Sequence, residues 1–292
     1  MIIKVKTFAK INLTLEILNK REDGFHNIQS IMQSISLYDV LKVRIFQNIN
    51  DENIIRLSGS SNNLPYDETN LVYKAIEKYL EYASRIKGQI IEVFIEKNIP
   101  ISAGLAGGSS NVAGILLALN KLYSNILSIK DIYSIAMQLG SDINFCLLGG
   151  SCLCTSRGEI VEKLKDISNV YVSLVKPINI GVSAGFAYKK FSQLNNVHLD
   201  NKTLKLKNLI NSSSMIDPSL LYNDLELAIK DEFEEFCYIK RNLKGAIMSG
   251  SGSTFFVLGK QNPEYLNKIF DSSVYEIYPN LSFVNSGVEF FS

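Results

Sequence analysis

The sequence predicts an α+β fold in two domains, residues 1–157 and 158–292, on three observations. Its 292 residues amount to two domains at roughly 150 residues each. Strand patterns fill the first 60 residues, helical patterns dominate from there to residue 140, and a second mixed pattern restarts after Arg157. That order segregates strands from helices instead of alternating them. A composition of 46% hydrophobic and 20% charged residues supplies a core and excludes a disordered chain. The last strand is free to pack back on the first domain.

IIKVK and INLTLEIL, with alternating or continuous Ile, Leu and Val, read as strands. KREDGFHNIQS is the connection that follows, its Asp23-Gly24 step a turn signal. SISLYDVLKVRIF and IIRLS read as further strands. Helical spacing first appears in NLVYKAIEKYLEYASRIK, with Leu71, Ala75, Tyr79 and Tyr82 three and four residues apart. QIIEVFIEKNI is again a strand, ended by Pro100. PISAGLAGGSSNVAGILLALNKLY is a glycine-rich loop opening into an apolar helix. IKDIYSIAMQLG is a second helix, N-capped by Ser128 and stopped at Gly140. SDINFCLLGGSCLCTSRGE reads as a loop leading to a strand near residue 150. After Arg157, VYVSLVKP is a buried strand and NDLELAIKDEFEEFCYIKRNLK one long helix. GAIMSGSGSTFFVLG is strand, glycine loop, strand; Pro263 opens a short helix, and strands close the chain. The polar stretch NNVHLDNKTLKLKNLINSSS is expected to be an exposed segment.

Thirty basic residues against twenty-nine acidic ones give a net charge of +1. Such a balance has no electrostatic footprint for nucleic acid or an anionic membrane, yet leaves room for a local cationic pocket that binds one small anion. Four cysteines make no disulfide framework: Cys146, Cys152 and Cys154 cluster, and Cys237 stands apart. With His26 and His198 the only histidines, no protein-held metal site is expected, and the thiols read as buried in a reducing compartment. MIIKVKTFAKINL lacks the apolar run of a signal peptide, and Val112–Leu119 is far shorter than the roughly 20 residues of a membrane span. A cytoplasmic chain is expected.

Four segments carry chemistry. In Gly104-Leu105-Ala106-Gly107-Gly108-Ser109-Ser110-Asn111 three glycines let the backbone approach a ligand, and the serines and Asn111 are natural N-caps for the helix that follows. Free N–H groups at a positive helix end make a phosphate site. The segment fits neither a Walker A loop nor GxGxxG. Lys10 and Asn12 share one face of an otherwise apolar strand. Lys10 either points inward toward an anionic partner or lies on an edge strand in solvent. Asp142, in Gly140-Ser141-Asp142, reads as a turn residue or as the partner of Lys10. Gly250-Ser251-Gly252-Ser253-Thr254 is a second glycine-and-hydroxyl loop, able to form the facing wall of one anion cleft.

These segments together resemble the GHMP kinase superfamily, which includes galactokinase, homoserine kinase and mevalonate kinase. The proline-led GLAGGSSN core resembles its phosphate loop and GSGST its third motif; AKINLTLEILNKREDGFHNIQS, NLVYKA and GSD are similar to the members that phosphorylate a diphosphocytidyl polyol. The resemblance implies a ribosomal-protein-S5-like first domain with a left-handed βαβ crossover and a ferredoxin-like α/β-plait second domain. It implies ATP as co-substrate and Mg²⁺ held mainly through the ATP phosphates, with small molecules as partners; two small domains facing each other across a cleft suggest a monomer or weak homodimer. Lys10 and Asp142 match the catalytic pair beside the accepting hydroxyl. Pro100, Ser102, Ala103 and Gly104 through Ser110 match the ATP loop, with Ser109 and Ser110 near phosphate or Mg²⁺. Asn70 and Lys97 match positions near the adenosine end. Asn12, Gly250, Ser251 and Gly252 match the acceptor site, His26 the reader of the cytosine edge, and Phe25 and Tyr188 the two faces of the base stack, Phe186 being a rival to Tyr188. The chain departs from the family pattern at Ala106, Asn144 and Ser183-Ala184. A kinase for a smaller alcohol such as mevalonate or homoserine, and a catalytically silent nucleotide-binding protein, are the competing readings.

Overall fold

The computed structural model describes residues 2–194 and 201–291. In chain order the elements are β1 (Ile2–Lys20), β2 (His26–Gln47), β3 (Ile54–Gly59), α1 (Leu71–Tyr82), β4 (Gln89–Glu96), α2 (Gly107–Leu122), α3 (Ile129–Leu139), α4 (Ile143–Leu148), β5 (Ser151–Ser156) and β6 (Ile160–Lys163). They continue with β7 (Tyr171–Pro177), α5 (Ala184–Phe191), α6 (Lys202–Ser213), β8 (Tyr222–Asn223), α7 (Asp224–Ile229), α8 (Glu234–Asn242), β9 (Ile247–Met248), β10 (Phe255–Leu258), α9 (Pro263–Ile269), β11 (Tyr275–Ser282) and β12 (Val288–Phe291).

The spine of the first sheet is the antiparallel pair β1–β2, each strand far longer than the segments expected from sequence. Bulges after Phe8, Asn12 and Ile17 re-aim β1 without breaking it, so Lys10 and Asn12 face one side while Ile11 and Leu13 are fully buried. The connection is confined to residues 21–25, where Arg21 pairs with Asp23 at 3.0 Å. The order β12-β1-β2-β4-β3 runs across the sheet, with β5 on β2 and β8 on β1. β3 and β4 run parallel through α1, a βαβ unit. Helices α1 and α2 pack on this sheet: Val72, Ile76 and Tyr79, with Val112, Ile115 and Leu119, meet Val5, Leu41, Val43 and Val93. The second sheet, β11-β7-β10-β9, is antiparallel throughout. Phe236 of α8 stacks edge-on against Phe255 of β10 in its core, 5.1 Å between ring centres. The mixed architecture is the α+β class expected.

Four sequence expectations change. Residues 143–148 form α4 where a loop was expected, so Asp142 stands at a helix N-terminus. The long helix predicted from residue 223 splits into α7 and α8. The break places the acidic run Asp231–Glu235 at the positive start of α8 instead of mid-helix, where like charges would oppose one another. The polar stretch after residue 200 is helix α6, with Thr203, Leu206 and Ile210 buried at helical spacing; the part at 195–200, including His198, lies outside the described residues. Finally, Arg157 sits in the turn of the β5–β6 hairpin, so β6 still belongs to the first sheet. The last strand, β12, returns to pair with β1 as expected. Among the described residues no helix is long and apolar enough to cross a membrane. Cys146, Cys152 and Cys154 are free and buried, and burial pushes the Cys146 and Cys152 thiols up to about 12.

Candidate active site

The chain leaves β4 and enters a loop in which Ser102, Gly104 and Ala106 all have positive φ. Ala106 is the N-cap of α2, left-handed at φ 56° and without a side-chain cap. The helix therefore starts at Gly107, earlier than serine capping predicted. The first-turn N–H groups of Gly107, Gly108 and Ser109 are left for a ligand, which a capping serine would have prevented. They face a cavity of about 410 Å³ that Asn70, Pro100, Ser102, Ala103, Leu105 and Ser109 also line. Three residues expected at the nucleotide have their polar groups engaged within the protein. Ser110 is fully buried and its hydroxyl donates to the Phe8 carbonyl at 2.6 Å, so it anchors α2 to β1. The Lys97 ammonium is committed to Asp39 at 2.7 Å and the Ile99 carbonyl at 2.5 Å. Asn70 caps α1 through Val72 N–H at 2.8 Å and donates to the Pro65 carbonyl at 2.5 Å. Lys97 and Asn70 thus hold the cavity wall, with their polar ends already paired.

The two glycine loops meet. The Gly104 carbonyl accepts from Lys10 Nζ and from Ser249 Oγ, both at 3.0 Å, and Thr254 N–H donates to the Ala103 carbonyl at 3.3 Å. A Cβ on Gly104 would collide with the Ser249 backbone carbonyl, which is why only glycine closes this contact. Gly250 is left-handed at φ 54°, and a Cβ there would stand 3.1 Å from Lys10 Nζ. Ser251 Oγ reaches the Val182 carbonyl at 3.4 Å.

Lys10 is the hub. Its ammonium donates to Asn12 Oδ1 at 2.6 Å and approaches Asp142 Oδ2 at 3.6 Å. The Lys10 side chain is 3% exposed and that of Asp142 31%, so the pair bridges interior and cleft. The inward reading of Lys10 is the one observed.

A second cavity, about 600 Å³, opens from this hub and runs to Phe25, His26 and Tyr188. His26 stacks on Tyr188, 5.2 Å between ring centres and 15° between planes, and its Nε2 lies 3.3 Å from Ser192 Oγ. Burial, with Lys20 adding to it, holds the His26 imidazole below its ordinary value, so it is neutral at neutral pH with one donor and one acceptor edge. Phe25 is 53% exposed at the mouth. Tyr188 lines the cavity, whereas the Phe186 ring lies 5.5 Å from the Lys190 ammonium and does not. Of the predicted acceptor residues, Gly250 and Ser251 line the cavity; a Cβ on Gly252 would meet the Met248 side chain instead. Gly104 and Ala106 line both cavities, so the two join at the phosphate loop beside Lys10.

Sequence reasoning missed Lys20, Arg157 and Lys189, which also line the larger cavity. None has a local signature: Thr-Ser-Arg-Gly reads as an ordinary turn, and the lysines as solvated faces. Among the described residues no cluster of three or more His, Cys, Asp or Glu side chains forms a metal site.

Comparison with known proteins bears on the same residues. Residues 70–150, which contain the phosphate loop and Asp142, match the GHMP kinases N terminal domain family. The 4-diphosphocytidyl-2-C-methyl-D-erythritol kinase of Prochlorococcus marinus (strain MIT 9301) is 41% identical, over 88% of this chain and 86% of that protein. Its counterpart in Prochlorococcus marinus subsp. pastoris is 38% identical over 97% and 96%. A crystal structure of 4-(cytidine 5'-diphospho)-2C-methyl-D-erythritol kinase superposes with a TM-score of 0.73 at 26% identity, covering 96% of this chain and 99% of that one. Identity at this level over nearly the full length shows that the chain belongs to the 4-diphosphocytidyl-2-C-methyl-D-erythritol kinase family of GHMP kinases.

Proposed function

We propose that the protein transfers the γ-phosphoryl group of ATP to the 2-hydroxyl of 4-diphosphocytidyl-2-C-methyl-D-erythritol, giving the 2-phosphate and ADP in the non-mevalonate route to isopentenyl diphosphate. The observation that carries this reading is the junction of two cavities at Gly104 and Ala106, with Lys10 and Asp142 beside it. The smaller cavity, walled by the free N–H groups of α2, takes the ATP phosphates. The larger one, with a neutral imidazole between polar and aromatic walls, takes the cytidyl alcohol; 600 Å³ is within the usual range for a small-molecule site.

In the reaction the acceptor oxygen forms a bond to the γ-phosphorus as the bond to the ADP oxygen breaks. The hydroxyl proton passes to the Asp142 carboxylate, whose cleft exposure lets it reach that hydroxyl. Lys10, oriented by Asn12 and the Gly104 carbonyl, offsets charge on the transferred group. Asn12 is itself fixed, its amide donating to Ser30 Oγ at 2.8 Å. Mg²⁺ would be held mainly through the ATP phosphates, as the ion commonly is, and supplies charge neutralisation there. Ser109, half-buried on the cavity side, fits such an ion better than the engaged Ser110. At the far end the His26 edge matches a cytosine edge, and Tyr188 and Phe25 supply aromatic surface worth about 1–3 kcal/mol per stacked base.

A coupled ADP-release assay with the cytidyl alcohol, mevalonate and homoserine offered separately tests the reading. ADP release is expected with the cytidyl substrate alone; turnover of mevalonate or homoserine in its place would overturn it.

A further inference from the structure

Four cations, Lys10, Lys20, Arg157 and Lys189, line the larger cavity against one carboxylate, Asp142. This is a strongly positive lining in a chain of net charge +1. Lys10 is held at the reacting end by Asn12, Gly104 and Asp142, and Lys20 and Lys189 are exposed. Arg157 is different. It is half-buried, its guanidinium lies 5.1 Å from the Phe25 ring centre, and its ion-pair partner among the described residues is Glu159 at 3.8 Å. It donates no side-chain hydrogen bond to a described residue, so the terminal N–H donors of its planar fork can be given to a ligand.

What holds it is the turn of the β5–β6 hairpin. Arg157 N–H donates to the Glu159 carboxylate at 2.7 Å, and Arg21 ties Ser156 to the β1–β2 connection at 3.0 Å. Asn144, two residues beyond Asp142, donates to the Glu159 carbonyl at 2.8 Å from a 4% exposed position. The next residue, Gly158, lies against the reacting end, since a Cβ there would stand 3.9 Å from Asp142 Oδ1. The turn therefore spans from Asp142 to Phe25, with Arg157 between the reacting end and the base end of the cavity. In a cytidyl diphosphate alcohol, the group between the base with its ribose and the reacting alcohol is the diphosphate.

We propose that Arg157 is a specificity-determining residue that binds the diphosphate of the acceptor substrate, held in position by Phe25, Glu159 and the Asn144 strut. The inference rests on the cytidyl reading of the site. It assigns to a cation-bearing turn the discrimination between a nucleoside diphosphate alcohol and a smaller alcohol, which would leave the fork unpaired.

Calorimetric titration of the full chain with CDP and with cytidine, for wild type, Arg157→Met and Arg157→Lys, tests it. Arg157→Met keeps most of the packing over Phe25 and removes the charge. CDP affinity is expected to fall about tenfold or more in Arg157→Met and less in Arg157→Lys, with cytidine affinity within about twofold of wild type in both. In turnover assays KM for the cytidyl substrate should rise in step, with kcat and KM for ATP little changed. Equal loss for CDP and cytidine would make Arg157 a support for base stacking only, and no loss for either would remove it from the site. Both results overturn the inference while leaving the cytidyl reading intact. Failure of the wild-type protein to bind CDP at all would overturn both.

Discussion

Lys10 and Lys97 each bury an ammonium in the first sheet, with side chains 3% and 6% exposed, and their surroundings differ in one respect that separates chemistry from support. Lys97 meets a fully buried carboxylate, Asp39, at 2.7 Å. That same carboxylate accepts the Asn98 and Ile99 N–H groups at 2.7 and 2.8 Å. The result is a closed knot that fixes how the chain leaves β4 for the phosphate loop. Burial drives the Lys97 amine below its ordinary value, and Asp39 acts against that shift. Lys10 instead approaches a carboxylate at 3.6 Å that keeps one face in the cleft. A buried cation with a closed complement is part of the fold; one whose acid partner faces a cavity is available to a substrate.

Exchanging each lysine for methionine sharpens the contrast. Lys10→Met should lower kcat by about 10²–10⁴ while thermal unfolding shifts little. Lys97→Met leaves Asp39 charged and unpaired in the interior, and should destabilise the fold by about 3–5 kcal/mol, read by denaturant unfolding. Its residual activity per folded molecule should exceed that of Lys10→Met; equal kinetic damage in the two variants would break the comparison. The His26 imidazole separates the base end from the reacting end by pH. Because burial, with Lys20 adding to it, holds its pKa below the ordinary imidazole value, the neutral form persists through neutral pH and is lost only on further acidification. KM for the cytidyl substrate should therefore be flat around neutral pH and rise on acidification, and His26→Gln should remove the His26 part of that rise, measured as KM against pH. The smallest effect is expected at Ala106. Its left-handed backbone suits glycine, and Ala106→Gly should relieve strain of about 1 kcal/mol, visible as a raised Tm with kcat unchanged.

The same contrast marks how far the sequence could be read. Glycine loops were legible because positive φ and helix starts leave local signatures, as at Gly104 and Gly250. So was the N-cap at Ser128, which in the structure closes a capping box with Asp131. The Lys10–Asp142 convergence came through resemblance, since only the fold brings β1 to the start of α4. The closure of Lys97 on Asp39 was not legible: its partner lies across the sheet, and nothing near Lys97 distinguishes a structural from a nucleotide-binding lysine. The Ser110 contact was hidden for a related reason, because a serine beside a phosphate loop reads the same whether its hydroxyl faces the ligand or, as here, the Phe8 carbonyl. Arg157 marked a boundary because a mixed pattern restarts after it, and its approach to Phe25 was hidden because the fold alone brings the two turns together.

The central claim is that two ligands meet at one carboxylate, and Asp142→Asn tests it most directly. The measurement is single-turnover phosphoryl transfer at saturating ATP and cytidyl alcohol, with the affinity of each ligand determined on the same variant. The account predicts affinities within about threefold of wild type and transfer slowed by about 10²–10⁴. Transfer at the wild-type rate with both ligands bound would contradict it.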